Sequence, residues 1–302
     1  MIYDKKPLSK EKHVELLQER GLKIEDKKEV ILFLNYVNYY RLSVYFIPFQ
    51  IDRECFYEGV TFSKVCDLYC FDKAFRTLLT ESLATIEISV RTKLTEVLTL
   101  KTSNPFPHWR QEVFREKFWE GEYNPWLKKH TKEAKRSKEI FIEHFKAKYS
   151  EEFPKLPLWA AVEIMSLGSL SLLIKGLKSS YSKHISSSFS LPDDVFRSWM
   201  HTLAYVRNLC AHHARVWNRH LVIEPKYFKN GSDWGNLNTR RIFYVLLMIK
   251  YLLTEKDAGD NITKKFFEEW RKKIIPLIKD SFPMEEIRLR DMGFPENWES
   301  LF

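Results

Sequence analysis

Two adjacent histidines, two arginines and two asparagines fall within Tyr205-Val-Arg-Asn-Leu-Cys-Ala-His-His-Ala-Arg-Val-Trp-Asn218, in a chain with nine histidines. Asn208 and His212 are four apart, so a regular helix places them on one face. Arg207 and His212 are five apart, about 140° round a helix, and meet only if the helix distorts or the long Arg side chain wraps round it. A guanidinium suits a phosphate, and an imidazole titrating near pH 6.5 suits proton transfer to or from a sugar hydroxyl. Together they could cleave RNA without a metal, His moving protons while Arg holds the phosphate and offsets transition-state charge. A structural reading competes: a polar helix end, with His stacked on Trp217 and Arg paired to a carboxylate such as Glu163. Spacing alone leaves both open.

The elements that must carry these residues are helical. Trp199, Met200, Leu203 and Val206 recur at spacings of one, three and four, the pattern of one buried helix face. Leu191-Pro-Asp-Asp194 reads as the entry to that helix. Asn218 to Asn238 reads as irregular (Pro225, Gly231, Gly235), a loop flanking the site. Helices near Thr239–Thr254 and Ile262–Ile278 follow, and Trp298 and Phe302 dock the tail. Upstream, Pro157 starts a helix at its first turn, with Trp159, Val162, Ile164 and Met165 apolar. Glu163 is expected to be buried among them and to hold an Arg or His of the signature. Gly168 fits a close helix approach or a turn better than a phosphate loop, since the chain has no Gly-rich nucleotide motif.

The N-terminal part reads the same way. Ser9 caps a helix through Glu19 that Gly21 ends, and Asp26 caps a second. Tyr36–Tyr45 is dense in tyrosine and carries Arg41. It either packs against the bundle or stacks on bases. Residues 48–60 are a break (Pro48, Gly59), after which two long helices are expected, about Phe62 to Thr80 and Ser82 to Leu100. Asp72 and Arg76, and Glu87 and Arg91, are acid-before-base pairs four apart that support helix.

Residues 101–156 differ in character, interleaving Trp109, Phe114, Phe118, Trp119, Tyr123 and Trp126 with charge. Lys128-Lys-His-Thr-Lys-Glu-Ala-Lys-Arg-Ser-Lys138 supplies Lys128, Lys129, Lys132, Lys135, Arg136 and Lys138 against one acid. Such a run suits an RNA backbone, though a solvated helix face has the same composition. Glu139–Tyr149 reads as an amphipathic helix.

Composition narrows the classes. Across 302 residues, 44% hydrophobic content provides ample core, and 29% charge argues against disorder. The longest apolar stretches, such as Tyr244–Ile249, fall far short of the ~18 residues a span needs, and the first ten residues hold no apolar signal core. The expectation is a protein without a membrane partner. Cys55, Cys66, Cys70 and Cys210 fit neither a disulfide framework nor a zinc site and read as reduced thiols in a cytoplasm, with Cys66 and Cys70 in the core. A formal charge of +9 favours a polyanionic partner.

The run RNLCAHHARVWN resembles the signature of the Abi family of bacterial phage-abortive-infection proteins, the AbiD/AbiF-like group of the HEPN superfamily. Nucleases of that superfamily carry Arg, a polar residue, three variable residues and His, which Arg207, Asn208 and His212 match. Further likenesses follow in the family's order. They are Leu34-Asn-Tyr-Val-Asn-Tyr-Tyr-Arg-Leu-Ser-Val-Tyr45, and Leu68-Tyr-Cys-Phe-Asp-Lys-Ala-Phe-Arg76 with Ile86-Glu-Ile-Ser-Val-Arg91. Leu156-Pro-Leu-Trp-Ala-Ala-Val-Glu163 with Ser166-Leu-Gly-Ser-Leu-Ser171 comes next, and Met292-Gly-Phe-Pro-Glu-Asn-Trp298 last.

The resemblance implies an all-α HEPN-like bundle over residues 61–302, with 101–156 as a basic, aromatic helical insert and 1–60 as an N-terminal helical extension. It implies a homodimer in which two Arg…His motifs face one cleft, and an RNase reaction without metal or other cofactor. His212 would be the acid/base, Arg207 the phosphate holder and Asn208 an orienter, supported by His213, Arg215 and Asn218. Glu87 and Arg91 would brace the site. RNA would be the substrate, an inhibitory antitoxin, or both, with a protein antitoxin as the other form of restraint the resemblance allows. Rival readings are a protein that binds structured RNA without cutting it, and a protein-interaction bundle whose motif is structural. A metallonuclease is disfavoured, because no Asp/Glu/His cluster has ligand spacing and His212 and His213 point to different helix faces.

Overall fold

A computed structural model describes residues 6–52, 54–229, 234, 237–255, 261–280 and 289–302. The architecture is all-α apart from one small hairpin. Its helices are α1 (Lys10–Glu19), α2 (Lys27–Tyr36), α3 (Tyr39–Leu42), α4 (Phe62–Thr102), α5 (Glu116–Phe118), α6 (Asn124–Arg136) and α7 (Ile140–Lys148). They continue as α8 (Leu158–Ala161), α9 (Leu167–Gly176), α10 (Ser179–Ser187), α11 (Asp193–Ala211), α12 (Ile242–Thr254) and α13 (Asn261–Asp280). Strands β1 (Gln50–Asp52) and β2 (Cys55–Phe56) pair antiparallel. Two compact units result, Met1–Phe75 with Ile274–Leu289 and Arg76–Lys273 with Arg290–Phe302.

In the first unit the caps sit where their residue types predict. The Ser9 and Asp26 side chains accept from the Lys12 and Lys28 amides. Gly21, at φ +88°, closes α1 by handing the Leu22 amide to the Leu17 carbonyl. The core gathers Leu17, Leu34, Leu42, Phe46, Phe49 and Phe56, and the Tyr45 hydroxyl donates to the buried Asp72 at 2.6 Å.

The expected pair of helices after the break is a single one, α4. Nothing at Thr80-Glu81-Ser82 interrupts it, because both hydroxyls bond back into their own helix. Thr80 donates to the Arg76 carbonyl at 2.8 Å and Ser82 to Leu79 at 3.0 Å. Cys66 and Cys70 are not core: Cys66 is half-buried, its thiol pushed up to about 12 by burial, and Cys70 is exposed.

In the second unit α12 is buried nearly all round, as a helix apolar at every position but Lys250 and Thr254 requires. Among the described residues no helix is long and apolar enough to cross a membrane. Trp270 ties α13 to the Leu78 carbonyl of α4 at 2.8 Å, and the tail docks through Trp298 and Phe302, whose ring lies on Trp270.

The aromatic residues of 101–156 form an internal cluster. Trp119 stacks on Tyr123 at 4.0 Å, and Trp126 lies parallel to the buried His130. Trp126 also donates to the Ser169 carbonyl of α9. Of the two roles expected for Gly168, a close helix approach is not found: it lies in the first turn of α9, and a Cβ there would meet only Ser166 Oγ at 3.8 Å. Gly176 does that work, since a Cβ would strike the Phe118 ring at 2.4 Å.

Candidate functional site

The signature lies at the C-terminal end of α11. Asp193 and Asp194 occupy its first turn, where carboxylates complement the helix dipole. Arg197 joins the helix to α9: its Nε donates to Asp193 at 3.0 Å and its Nη1 to the Ile174 and Lys175 carbonyls. Its Nη2 donates to the Leu177 carbonyl and to Ser182 Oγ. One guanidinium thereby satisfies carbonyls at the end of α9 that would otherwise lack partners. With Phe196, Trp199, Met200, Leu203 and Val206 buried, the opposite face of α11 carries His201 and Asn208 exposed and Tyr205 half-buried.

The helix stops at Ala211, and His212 is its C-cap (φ −89°, ψ 11°), donating its amide to the Asn208 carbonyl at 3.0 Å. The next two amides turn back, His213 to Cys210 at 3.0 Å and Ala214 to Leu209 at 2.8 Å. This is the turn that Gly21 makes at α1, with His213 at φ +54° where glycine is usual. Holding a Cβ residue there costs about 1 kcal/mol. The prediction that His212 and His213 share a helix is thus corrected: one caps it and the other forms the turn beyond.

Beyond the turn, several polar side chains hold the loop together. Arg215 Nη1 donates to the Trp217 and Asn218 carbonyls at 2.6 and 3.1 Å, and its guanidinium lies 5.7 Å from the Trp217 ring. Arg219 reaches Tyr205 Oη at 3.3 Å, and Arg241 donates to Asn218 Oδ1 at 2.9 Å. Gly293, at φ +91°, lies against Arg241, whose Cβ would be 2.5 Å from any Cβ added there. The Met292-Gly-Phe-Pro motif therefore backs the residue that holds the signature's last asparagine. Of the expected irregular loop, Pro225 is described, while Gly231 and Gly235 lie outside the described residues.

Three signature residues take no part in that scaffolding. Asn208 and His212 are exposed, and the half-buried Arg207 has no hydrogen-bond or ion-pair partner among the described residues. Arg207, Arg219 and Arg241 all lack a carboxylate partner among the described residues, so positive charge gathers at this end of the unit.

Glu163 is not buried as predicted: its side chain is 52% exposed, at a short helical turn that presents it outward. Trp159 is likewise exposed. Arg91 donates to Glu87 at 2.6 Å, to Glu163 at 3.3 Å and to the Met165 carbonyl at 2.7 Å. The three charged residues form one cluster that fixes the turn before α9, and none of these bonds reaches a signature residue.

A groove of about 580 Å³ runs between α9 and α11, with Ser171 and Lys175 on one wall and His201, Tyr205 and Asn208 on the other. His201 was missed by sequence reasoning. The signal was available: positions 201, 205, 208 and 212 follow one helical face. On α6, burial of Trp126, His130 and Ala134 turns Lys128, Lys129, Lys132, Lys135 and Arg136 outward, and Lys138 just beyond is exposed too. None of these six has a carboxylate partner among the described residues. Arg41 sits half-buried in α3 of the other unit. Among the described residues no three His, Cys, Asp or Glu stand close enough to hold a metal ion.

A family model described as Abi-like protein matches residues 32–218, more than half of the chain. The match begins just before the tyrosine-rich segment and ends at the last residue of the signature. No curated protein and no solved structure matches the chain. The chain belongs to the Abi-like family, and membership supports a role in bacteriophage resistance through abortive infection.

Proposed function

We propose that this Abi-like protein is a metal-independent endoribonuclease of the HEPN type that acts in phage defence. The observation that carries the reading is the division of labour inside the signature. Arg215 and Asn218 are bound into the loop, while Arg207, Asn208 and His212 keep their functional groups for a ligand.

In this reaction the RNA 2′-oxygen attacks the adjacent phosphorus and the bond from phosphorus to the 5′-oxygen breaks. The products are a 2′,3′-cyclic phosphate and a 5′-hydroxyl. The proton leaves the 2′-hydroxyl and one is delivered to the departing 5′-oxygen, transfers suited to an exposed imidazole such as His212. Arg207 offsets charge on the phosphate oxygens, and Asn208 orients His212 or the phosphate. A homodimer supplies the second Arg and His, so that one histidine accepts a proton while the other donates. The groove that Asn208 lines takes a neighbouring nucleotide, and the cations of α6 hold the backbone of a substrate or of a restraining antitoxin RNA.

The test is cleavage of a short single-stranded RNA in excess EDTA by wild type and His212→Ala, matched for melting temperature and oligomeric state. Cutting by wild type alone, with cyclic phosphate ends, supports the reading, and equal cutting by both refutes it. Tight, salt-dependent binding without cutting by either supports the second reading, an RNA-binding protein that does not cleave, which the six exposed cations favour.

A further inference from the structure

The tyrosine-rich motif of the first unit has no part in the reaction above, yet it lines a spacious groove of that unit. The groove, of about 860 Å³, lies among α1, α3 and the segment before α1. Lys6, Lys10 and Arg20 bring positive charge to it, and Glu54, the one carboxylate on its lining among the described residues, pairs with Arg20 at 3.5 Å. His13 and Tyr39 form a parallel pair within it, ring centroids 4.0 Å apart and planes 9° apart. Burial holds the His13 imidazole below its usual range, so the pair carries little charge of its own at neutral pH. Tyr40 is 85% exposed beside this pair. Asn38 fixes the backbone that presents both tyrosines, its Oδ1 accepting the Tyr40 amide at 2.8 Å.

We propose that this groove is a second RNA-contact site that seats a base of a single-stranded segment on Tyr40 beside the His13–Tyr39 pair, with the flanking phosphates on Lys6 and Lys10. Rigid aromatic faces next to flexible cations are the combination that holds single strands without reading sequence. An apolar peptide would leave Lys6 and Lys10 without an anion, since Arg20 already pairs with Glu54, and an acidic one would leave the ring faces unused. A strand carrying a base and a phosphate in each residue engages both. The inference rests on RNA being this protein's partner and is independent of whether the RNA is cut.

The test uses the full chain in a His212→Ala background, so that cleavage does not interfere. Binding of a short fluorescein-labelled single-stranded RNA is followed by anisotropy, and 4-thiouridine crosslinks are mapped by mass spectrometry. Tyr40→Ala is expected to raise Kd about tenfold, the loss typical of one stacked base. Tyr40→Trp restores binding, and crosslinks fall within residues 36–46. Tyr36→Ala is the control, because Tyr36 is 83% exposed but does not line the groove. The proposal is overturned if Tyr40→Ala stays within about twofold of its parent, if Tyr36→Ala weakens binding equally, or if the parent binds no RNA. Failure of the nuclease reading would appear separately, as wild type that binds this RNA and leaves it intact.

Discussion

His108 and His130 lie fully buried in the second unit, with ring centroids 6.0 Å apart. None of their four ring nitrogens has a hydrogen-bond partner among the described residues. Burial pushes His130 from an ordinary 6.5 down to about 4. It pushes His108 well below its usual value too, helped by the neighbouring His130 and Lys155. A histidine whose folded pKa is depressed binds fewer protons folded than unfolded. Its stabilising contribution is therefore complete above the unfolded pKa and is lost as pH falls through the window from 6.5 toward 4. At about 1.4 kcal/mol per pKa unit, His130 alone accounts for roughly 3 kcal/mol in total, of which about 2 kcal/mol disappears between pH 7 and 4.5. The assay is urea unfolding followed by tryptophan fluorescence, which reports on the second unit because all nine tryptophans fall in its sequence. Carboxylates also titrate in this range, so the quantity to compare is the acid-induced loss in wild type minus that in His130→Phe, which keeps a buried ring and cannot titrate. The difference should be about 2 kcal/mol in favour of the variant. Equal loss in both proteins would refute the argument that these imidazoles are buried neutral.

Other substitutions test the scaffold around the signature. Arg197→Ala should cost about 3 kcal/mol, because it uncaps α9 and leaves the largely buried Asp193 with only the more distant Arg115 at 3.8 Å; Arg197→Lys should recover only part in the same urea titration, since an ammonium cannot span the five acceptors. Gly293→Ala combines a positive φ with a Cβ 2.5 Å from that of Arg241, and should lower stability by about 2 kcal/mol and the melting temperature by roughly 5 °C. His213→Gly relieves the left-handed turn and should stabilise by about 0.5–1 kcal/mol, visible as a higher urea midpoint; a loss of stability would mean that the His213 side chain contributes more than its backbone strain costs.

Much of this molecule is legible in its sequence because helices are local. Ser9, Asp26 and Gly21 mark helix ends through bonds to amides and carbonyls a few residues away. The apolar spacing of α11 fixes which face it buries, and hence that Asn208 faces out. The order of motifs along the chain carries the family resemblance, and the match over residues 32–218 agrees. Tertiary structure decided what periodicity leaves open. Thr80 and Ser82 could have capped a new helix, yet they bond back into α4, and residue type does not distinguish those outcomes. Glu163 looked buried by its apolar neighbours but lies on a short turn facing outward toward Arg91, seventy-two residues away in sequence. His213 takes a glycine's conformation that its side chain would not suggest. The His108–His130 pair was invisible too, because two histidines twenty-two residues apart become a buried pair only when α6 folds back over the segment before it. Bonds that close within one helical turn can be read along the chain, while those that depend on which helix lies alongside cannot.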